Sequence, residues 1–355
     1  YTVGRESGAA YGEDLAGVRQ DTPKHQFQWP LSALDQQQRR LPLVDAGPLA
    51  ANGSGDKKVQ AYNFRLILTN DPANRLPWTK PDGYDPGQFA LLARYLHEFQ
   101  DHEGRAPVAH DVMGPHAIPN NKVDVNNSGP FSTDFIGKSW DYPDAGYAQR
   151  ARIWQDHLLY TQSFFWFLSQ DPRVPPSLRA EVNSWGLSRD EFGDTGHWPN
   201  QLYIREGRRM IGAYVMHQAD LQTARTKPDS IGMGSYNSDS HNVQRVAMPD
   251  ESVRNEGDVQ VPVEPYEIPY RVMLPERGNA ENLLVPVCLS ASHVAYSSVR
   301  MEPQYMIIGQ AAGTAAALAV KAGRALRDID TTQLQARLRD HGAILHLDQQ
   351  ATDGR

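Results

Sequence analysis

The sequence predicts an α/β protein, and three features carry that expectation. First, residues 283–289 hold Leu283, Leu284, Val285, Val287 and Leu289, a short apolar run that suits a strand buried on both faces. A polar loop follows, from Ser290 to Arg300, and leads through Met301, Glu302 and Pro303 into a helix built on Gly309, Ala312, Gly313, Ala316 and Ala319. Pro303 suits a first helical turn, where its missing N–H costs nothing. A strand feeding a helix N-terminus in this way is a good place to hold an anion, so the unit reads as part of a nucleotide-type domain. Second, the middle of the chain is mixed in character and rich in aromatics and loops. Third, no series of alternating strands and helices is present, so a complete doubly wound domain is not expected.

The elements can be justified in order. Residues 1–60 are polar and broken by Pro and Gly, and residues 50–56 (AANGSGD) read as a flexible loop. Residues 59–69 (VQAYNFRLILT) alternate apolar and polar side chains, as a half-buried strand does. Asp85-Pro86 starts a helix through Phe89, Leu92, Tyr95, Leu96 and Phe99, while residues 105–147 are rich in loops. Residues 148–169 and 200–223 have apolar side chains at helical spacing: Ile153, Trp154, Leu158, Phe165 and Leu168, then Tyr203, Met210, Tyr214 and Leu221. Residues 230–275 return to strand-like patterning. Asp330 as N-cap, Gln333 three residues on and Gly342 as a stop mark a last helix.

Composition narrows the class. With 355 residues the chain can bury a large core, and 40% hydrophobic against 22% charged residues is the balance of a folded globular protein. A net charge of −7 argues against a nucleic-acid partner. The single Cys288 excludes an intrachain disulfide framework, and its apolar setting suggests a buried thiol. Residues 305–320 are apolar but contain Gln310 and fall short of the roughly 20 residues a membrane span needs. A buried helix is expected there. Tyr1 is not a natural start and no apolar signal segment precedes it, so any targeting peptide is expected to have been removed or to lie outside this sequence.

Several blocks together resemble a family of bacterial and fungal FAD-dependent oxidoreductases. They are YNFRLILTNDPANRLPW, NNKVDVNNSGPFSTDFIG, TGHWPNQLYIREGRRMIGAYVM, DSIGMGSYNSDSHNVQR, PYEIPYRVMLP and LSASHVAYSSVRMEP followed by GQAAGTAAA. They cover most of residues 60–320 in the family's order. The resemblance implies a glutathione-reductase-like flavoprotein, with an FAD domain built from both ends of the chain. Residues 1–28 and 276–355 would be the remaining parts of its three-layer FAD-binding domain, and 29–275 a mixed α+β substrate domain. The family's G-x-G-x-x-G turn, which cradles the pyrophosphate, is not in this sequence. Gly232-Met-Gly234-Ser235-Tyr236-Asn237 lacks the third glycine and does not open a helix. The expectation is therefore that the missing segment precedes Tyr1, and that the chain alone binds FAD weakly or not at all.

The resemblance also implies a site. Ser290 and Ser292 would hydrogen-bond the flavin edge, and Arg300, Met301 and Glu302 at the helix start would stabilise negative charge that builds on the ring. The plainer reading is that these residues cap a buried helix. His293 would take a proton from a substrate hydroxyl as hydride leaves for the flavin, or else it is structural. His241 sits in a run with Tyr236, Asn237 and Asp239, where an Asp–His pair can fix the imidazole tautomer. His197, Trp198, Arg205, Tyr236 and Asn237 are candidates for binding a polar or sugar-like substrate; surface ion pairs are the commoner fate of Arg205, Arg208 and Arg209. Residues 124–129 imitate half a calcium loop, but Phe135 stands where the loop's Glu belongs, and no metal is expected.

The function expected is an FAD-dependent oxidoreductase that takes hydride from a small polar substrate, of carbohydrate or polyol type. One alternative is a polysaccharide lyase or other carbohydrate-active enzyme without flavin, using Tyr236, Asn237, His241 and Arg245. The other is a non-catalytic fragment.

Overall fold

A computed structural model describes residues 1–22 and 24–347, and its helices and small sheets make a mixed α/β fold. After a short helix α1 (Gly8–Tyr11), strands β1 (Leu66–Thr69) and β2 (Arg75–Leu76) open the largest sheet. β3 (Gly114–Ile118), β4 (Lys122–Asn126) and β5 (Gly186–Ser188) complete it in the order β2-β5-β1-β4-β3, antiparallel throughout. Helices α2 (Ala90–Glu103), α3 (Tyr147–Gln170) and α4 (Pro176–Ser184) share its core. That core is strongly aromatic: Phe135 stacks on Tyr160 with centroids 4.1 Å apart, and Trp78 on Phe165 at 4.3 Å.

The remaining elements are α5 (Gln218–Gln222), β6 (Ser230–Gly234), β7 (Ser238–Ser240), β8 (Gln244–Ala247), β9 (Val253–Glu256), β10 (Val259–Val261) and β11 (Tyr266–Pro269). These strands pair as ribbons, β6 with β11, β7 with β10 and β8 with β9. Helices α6 (His293–Val299), α7 (Glu302–Ala322) and α8 (Thr331–Asp340) follow and build a second core. It also draws in Met216, Leu221, Ile231 and Tyr266 from within residues 29–275. Residues 348–355, the end of the expected 276–355 unit, lie outside the described residues.

Elements whose ends carry caps match the expectation. Asp85 accepts from Gly87 N–H at 2.8 Å before α2, and Gly104 ends that helix at φ +68°. Asp330 caps α8 through the N–H groups of Thr332 and Gln333. Several other expectations need correction.

Only residues 66–69 of the 59–69 segment form strand. Residues 59–64 are wholly buried, and their backbone bonds Asn242, Phe135 and Tyr203 in turn instead of one partner strand. The loop at 50–56 is not free, since Gly53 and Asp56 are bonded to Gly8 and Arg5. The loop-rich stretch after α2 holds the β3–β4 hairpin. Asp124 lies in that hairpin and pairs with Arg65.

Of residues 200–223 only the short α5 is helical. Their backbone crosses the molecule in extended form and bonds Asn63, Thr2, Cys288, Leu274 and Ser290 before α5 begins. The helical spacing of Tyr203, Met210 and Tyr214 is coincidental there, because neighbours from several segments claim the backbone groups. Residues 283–289 are not a buried strand either. Pro286 removes a ladder donor, Leu283 and Val287 stay 47% and 48% exposed, and Cys288 is exposed. Residues 293–299 of the expected loop are helix α6, and α7 is buried on one face only, with Met306 and Val320 exposed. Among the described residues, no helix is long and apolar enough to cross a membrane.

Candidate active site

The site forms where segments distant in sequence cross between the two cores. Arg205, buried to 3% exposure, donates from Nη1 to the Ala61 carbonyl at 2.6 Å and lies 3.1 Å from Asp134 Oδ1. Its Nη2 donates to Asn63 Oδ1 and Asn126 Oδ1, both at 3.0 Å. The other Asp134 oxygen faces His241 Nδ1 at 2.7 Å. Such an imidazole, when neutral, gives its Nδ1–H to the carboxylate and keeps an Nε2 lone pair. His241 Nε2 lies 4.0 Å from Asp239 Oδ1.

Asp239 is held from the rim. The Tyr236 hydroxyl donates to its Oδ2 at 2.7 Å, and Arg300 Nη2 donates to its carbonyl at 2.9 Å and sits 3.8 Å from its carboxylate. Tyr203 OH donates to Glu302 Oε1 at 3.2 Å, on the exposed side of the same region.

A second histidine is built alike. His293 Nδ1 lies 2.8 Å from Glu206 Oε2, and its Nε2 is buried with no partner among the described residues. Arg209 Nε stands 3.0 Å from Glu206 Oε1, while its Nη1 donates to Glu6 Oε1 and the Ala291 carbonyl, each at 2.7 Å. Glu6 in turn accepts from His293 N–H at 2.9 Å. Gln60 joins the two histidine pairs. Its Oε1 accepts from His241 N–H at 2.9 Å and its Nε2 donates to Glu206 at 3.3 Å.

The charges explain the protonation states. Burial alone would raise Asp134, but the Arg205 guanidinium and then His241 outweigh it and hold the carboxyl below its usual range. Burial likewise opposes ionisation of Glu206, yet the charges of His293 and Arg209 bring it down to about 2. His241 is pushed below the ordinary histidine range by burial and by Arg205, against the pull of Asp134. It is therefore neutral at pH 7, the form a general base needs.

The fold brings together five residues singled out in the sequence: Arg205, Tyr236, His241, Arg300 and Glu302. Ser290 and Ser292 are fully buried and already engaged. Ser290 Oγ accepts from Gly212 N–H at 3.0 Å, and Ser292 Oγ caps α6 through Ala295 N–H and donates to Glu13 at 2.6 Å. Met301 is the N-cap of α7 and has no side-chain cap bond. Asn237 lies exposed between β6 and β7.

His197 sits on the turn after β5, with Nδ1 3.0 Å from the Glu191 carbonyl, and Trp198 packs on the first core. Among the described residues neither bonds the histidine cluster. Arg205 and Arg209 are buried, not surface residues, and only Arg208 is exposed. Arg245, offered for a flavin-free lyase, is core: it bonds Asn255 and the Pro130 carbonyl and lies 4.5 Å over the Phe131 ring.

Asp134, Glu206 and Gln60 were missed as site residues, and the partner of His241 Nδ1 is Asp134, not the nearby Asp239. The available signal was that all three lie in or beside the blocks that carry the family resemblance. No pattern within one block could pair Asp134 with a histidine 107 positions away. Among the described residues, no group of three or more His, Cys, Asp or Glu could hold a metal ion.

A protein-family model described as FAD dependent oxidoreductase matches residues 1–338. No curated protein and no solved structure matches the chain.

Proposed function

Because the chain belongs to the family of FAD-dependent oxidoreductases, we propose that it oxidises a small hydroxyl-bearing substrate, of carbohydrate or polyol type, with His241 as the general base. The observation that carries this is the Asp134–His241 pair, 2.7 Å apart, beside a rim of Tyr236, Asp239, Arg300 and Tyr203. Asp134 fixes the tautomer, so Nε2 can accept the substrate's hydroxyl proton. Tyr236 and Asp239 supply the mixed donors and acceptors that a polyhydroxylated compound needs. His293 has the same chemistry deeper in the molecule and is the second candidate for the base.

FAD, when bound, supplies the acceptor for the substrate's hydride. Arg300, Met301 and Glu302 would hold its ring edge at the start of α7, and Ser290 and Ser292 would support them by fixing the start of α6. The residues fit such a group. Among the described residues, Arg300 Nε and Gln304 Oε1 are a buried donor and a buried acceptor without partners, and the first turn of α7 has no side-chain cap. On this reading residues 1–28 and 276–355 belong to the cofactor part and 29–275 to the substrate part.

The test is stopped-flow reduction of the FAD-loaded protein with a panel of aldoses and alditols. One member should bleach the flavin absorbance in the wild type. His241→Ala should slow that step by about 10²–10⁴-fold while FAD stays bound. If His241→Ala reduces at the wild-type rate and His293→Ala does not, the base is His293. If no member of the panel bleaches the flavin, the substrate class is wrong.

A further inference from the structure

We infer that Asp258 is a further acid–base residue of this site, receiving the substrate's proton from His241 and returning it to solvent; the inference rests on the flavin reading above. The register of β7 with β10 carries the placement. Ser240 pairs with Val259, Asp239 with Gln260 and Ser238 with Val261. One step further along the ladder sets Asp258 across from His241. Val243 N–H donates to the Glu256 carbonyl at 2.7 Å, so the two chains stay side by side beyond that point. Directly paired residues project to one face, and residues two apart share it. Asp239, His241, Asp258 and Gln260 therefore stand on one face, where Gln260 Nε2 donates to Asp258 Oδ1 at 3.0 Å.

The two carboxyls of this face differ in kind. Asp239 has His241, Arg300 and the Tyr236 hydroxyl around it, and these outweigh its burial and keep it ionised. Asp258 is 1% exposed, and its Oδ2 has no partner among the described residues. The charged groups around it are Asp239 from β7, and Lys24 and Arg19 from the N-terminal segment. Lys24 Nζ is engaged by Gln260 Oε1 at 2.8 Å. Burial, reinforced by Asp239, pushes Asp258 up to about 7. One fixed carboxylate beside one that changes state near neutrality is the division of labour of an acid–base site.

The proton balance is simple. The substrate O–H bond breaks as its proton joins His241 Nε2, and hydride leaves the carbon with the bonding pair for the flavin. The imidazolium proton then passes to Asp258 Oδ2, which restores neutral His241, and Asp258 loses it to water between turnovers.

The experiment compares FAD-loaded wild type, Asp258→Asn and Asp258→Glu by stopped-flow reduction from about pH 5 to 9, using the sugar or alditol that reduces the wild type. The wild-type rate should rise through an inflection near pH 7. Asp258→Asn should lose the inflection and run about 10- to 100-fold slower at pH 8, whereas Asp258→Glu should keep it. In parallel, carboxyl NMR of the chain labelled at aspartate, without FAD, should show one side chain titrating near pH 7. Asp239→Asn should move that titration down, which decides the matter even if Asp258→Asn fails to fold. An unchanged pH profile in a reducible Asp258→Asn enzyme, or no aspartate titrating above about pH 6, overturns the proposal. A wild type that no sugar or alditol reduces overturns the substrate class proposed above, and the relay with it.

Discussion

Asp258 and Glu206 are both buried carboxyls, yet the fold moves them in opposite directions, and that has consequences for stability. Glu206 has a folded value of about 2, below its ordinary 4.5. Its contribution is full above pH 4.5 and is lost as pH falls through 2. Asp258 is raised from 3.8 to about 7. Its folded form favours the proton, so its contribution is full below 3.8 and is lost as pH rises to 7. Asp258→Asn should therefore raise unfolding stability at pH 8 by about 2–4 kcal/mol and add nothing near pH 4. Urea denaturation at the two pH values checks this, and an equal gain at both would mean that the burial of Asp258 is not what costs stability.

Single glycines and caps decide the elements. Gly232 and Gly234 resemble part of a nucleotide-binding turn in sequence, but they lie in β6, where bulk is excluded. A Cβ on Gly234 would come within 2.6 Å of the Tyr266 ring, which is fully buried and bonds Ser298 Oγ at 2.8 Å. Gly234→Ala should push that ring aside and cost about 1–3 kcal/mol, read as a lower urea midpoint. Asp330→Ala should cost about 1 kcal/mol by releasing the first N–H groups of α8. A change under a few tenths would show that tertiary packing alone defines that helix start. Helices α2, α3 and α8 were legible because their periodic apolar faces, or their caps, are written locally. The 200–223 segment was not, since its backbone partners come from four other stretches of chain.

At the scale of the molecule, Arg209 ties the N-terminal residues to the second core. It is fully buried, with Glu6 and the Gly4 carbonyl on one side and Glu206 and the Ala291 carbonyl on the other. Removing one partner of such a network leaves buried carboxylates uncompensated. Arg209→Met should cost about 3–5 kcal/mol and expose residues 1–13 to protease before the rest of the chain unfolds. Cleavage at the wild-type rate would mean that the backbone bridges alone, such as Thr2 to Arg209, hold this segment. The same network positions the site, because it sets Glu206 against His293 and, through Gln60, beside His241.

What the sequence by itself determined is local or compositional: the mixed α/β class, the capped helices, the strand-rich stretch of 230–275 and the family resemblance with its FAD cofactor. These rest on periodicity, on cap residues or on runs of residues read in order. His241, Arg205, Tyr236 and Arg300 were named as candidates on the same basis. Only the tertiary structure decided that Asp134 holds His241 and that Glu206 holds His293. It also decided that Ser290 and Ser292 are spent on internal bonds and that Arg245 belongs to the core. The physical reason is that a buried charge must find its partner wherever the chain brings one within about 3 Å, and sequence separation carries no information about that encounter. Residues 283–289 show the converse limit. Their apolar pattern suits a strand, but Pro286 stands in the run, and among the described residues no strand pairs with it.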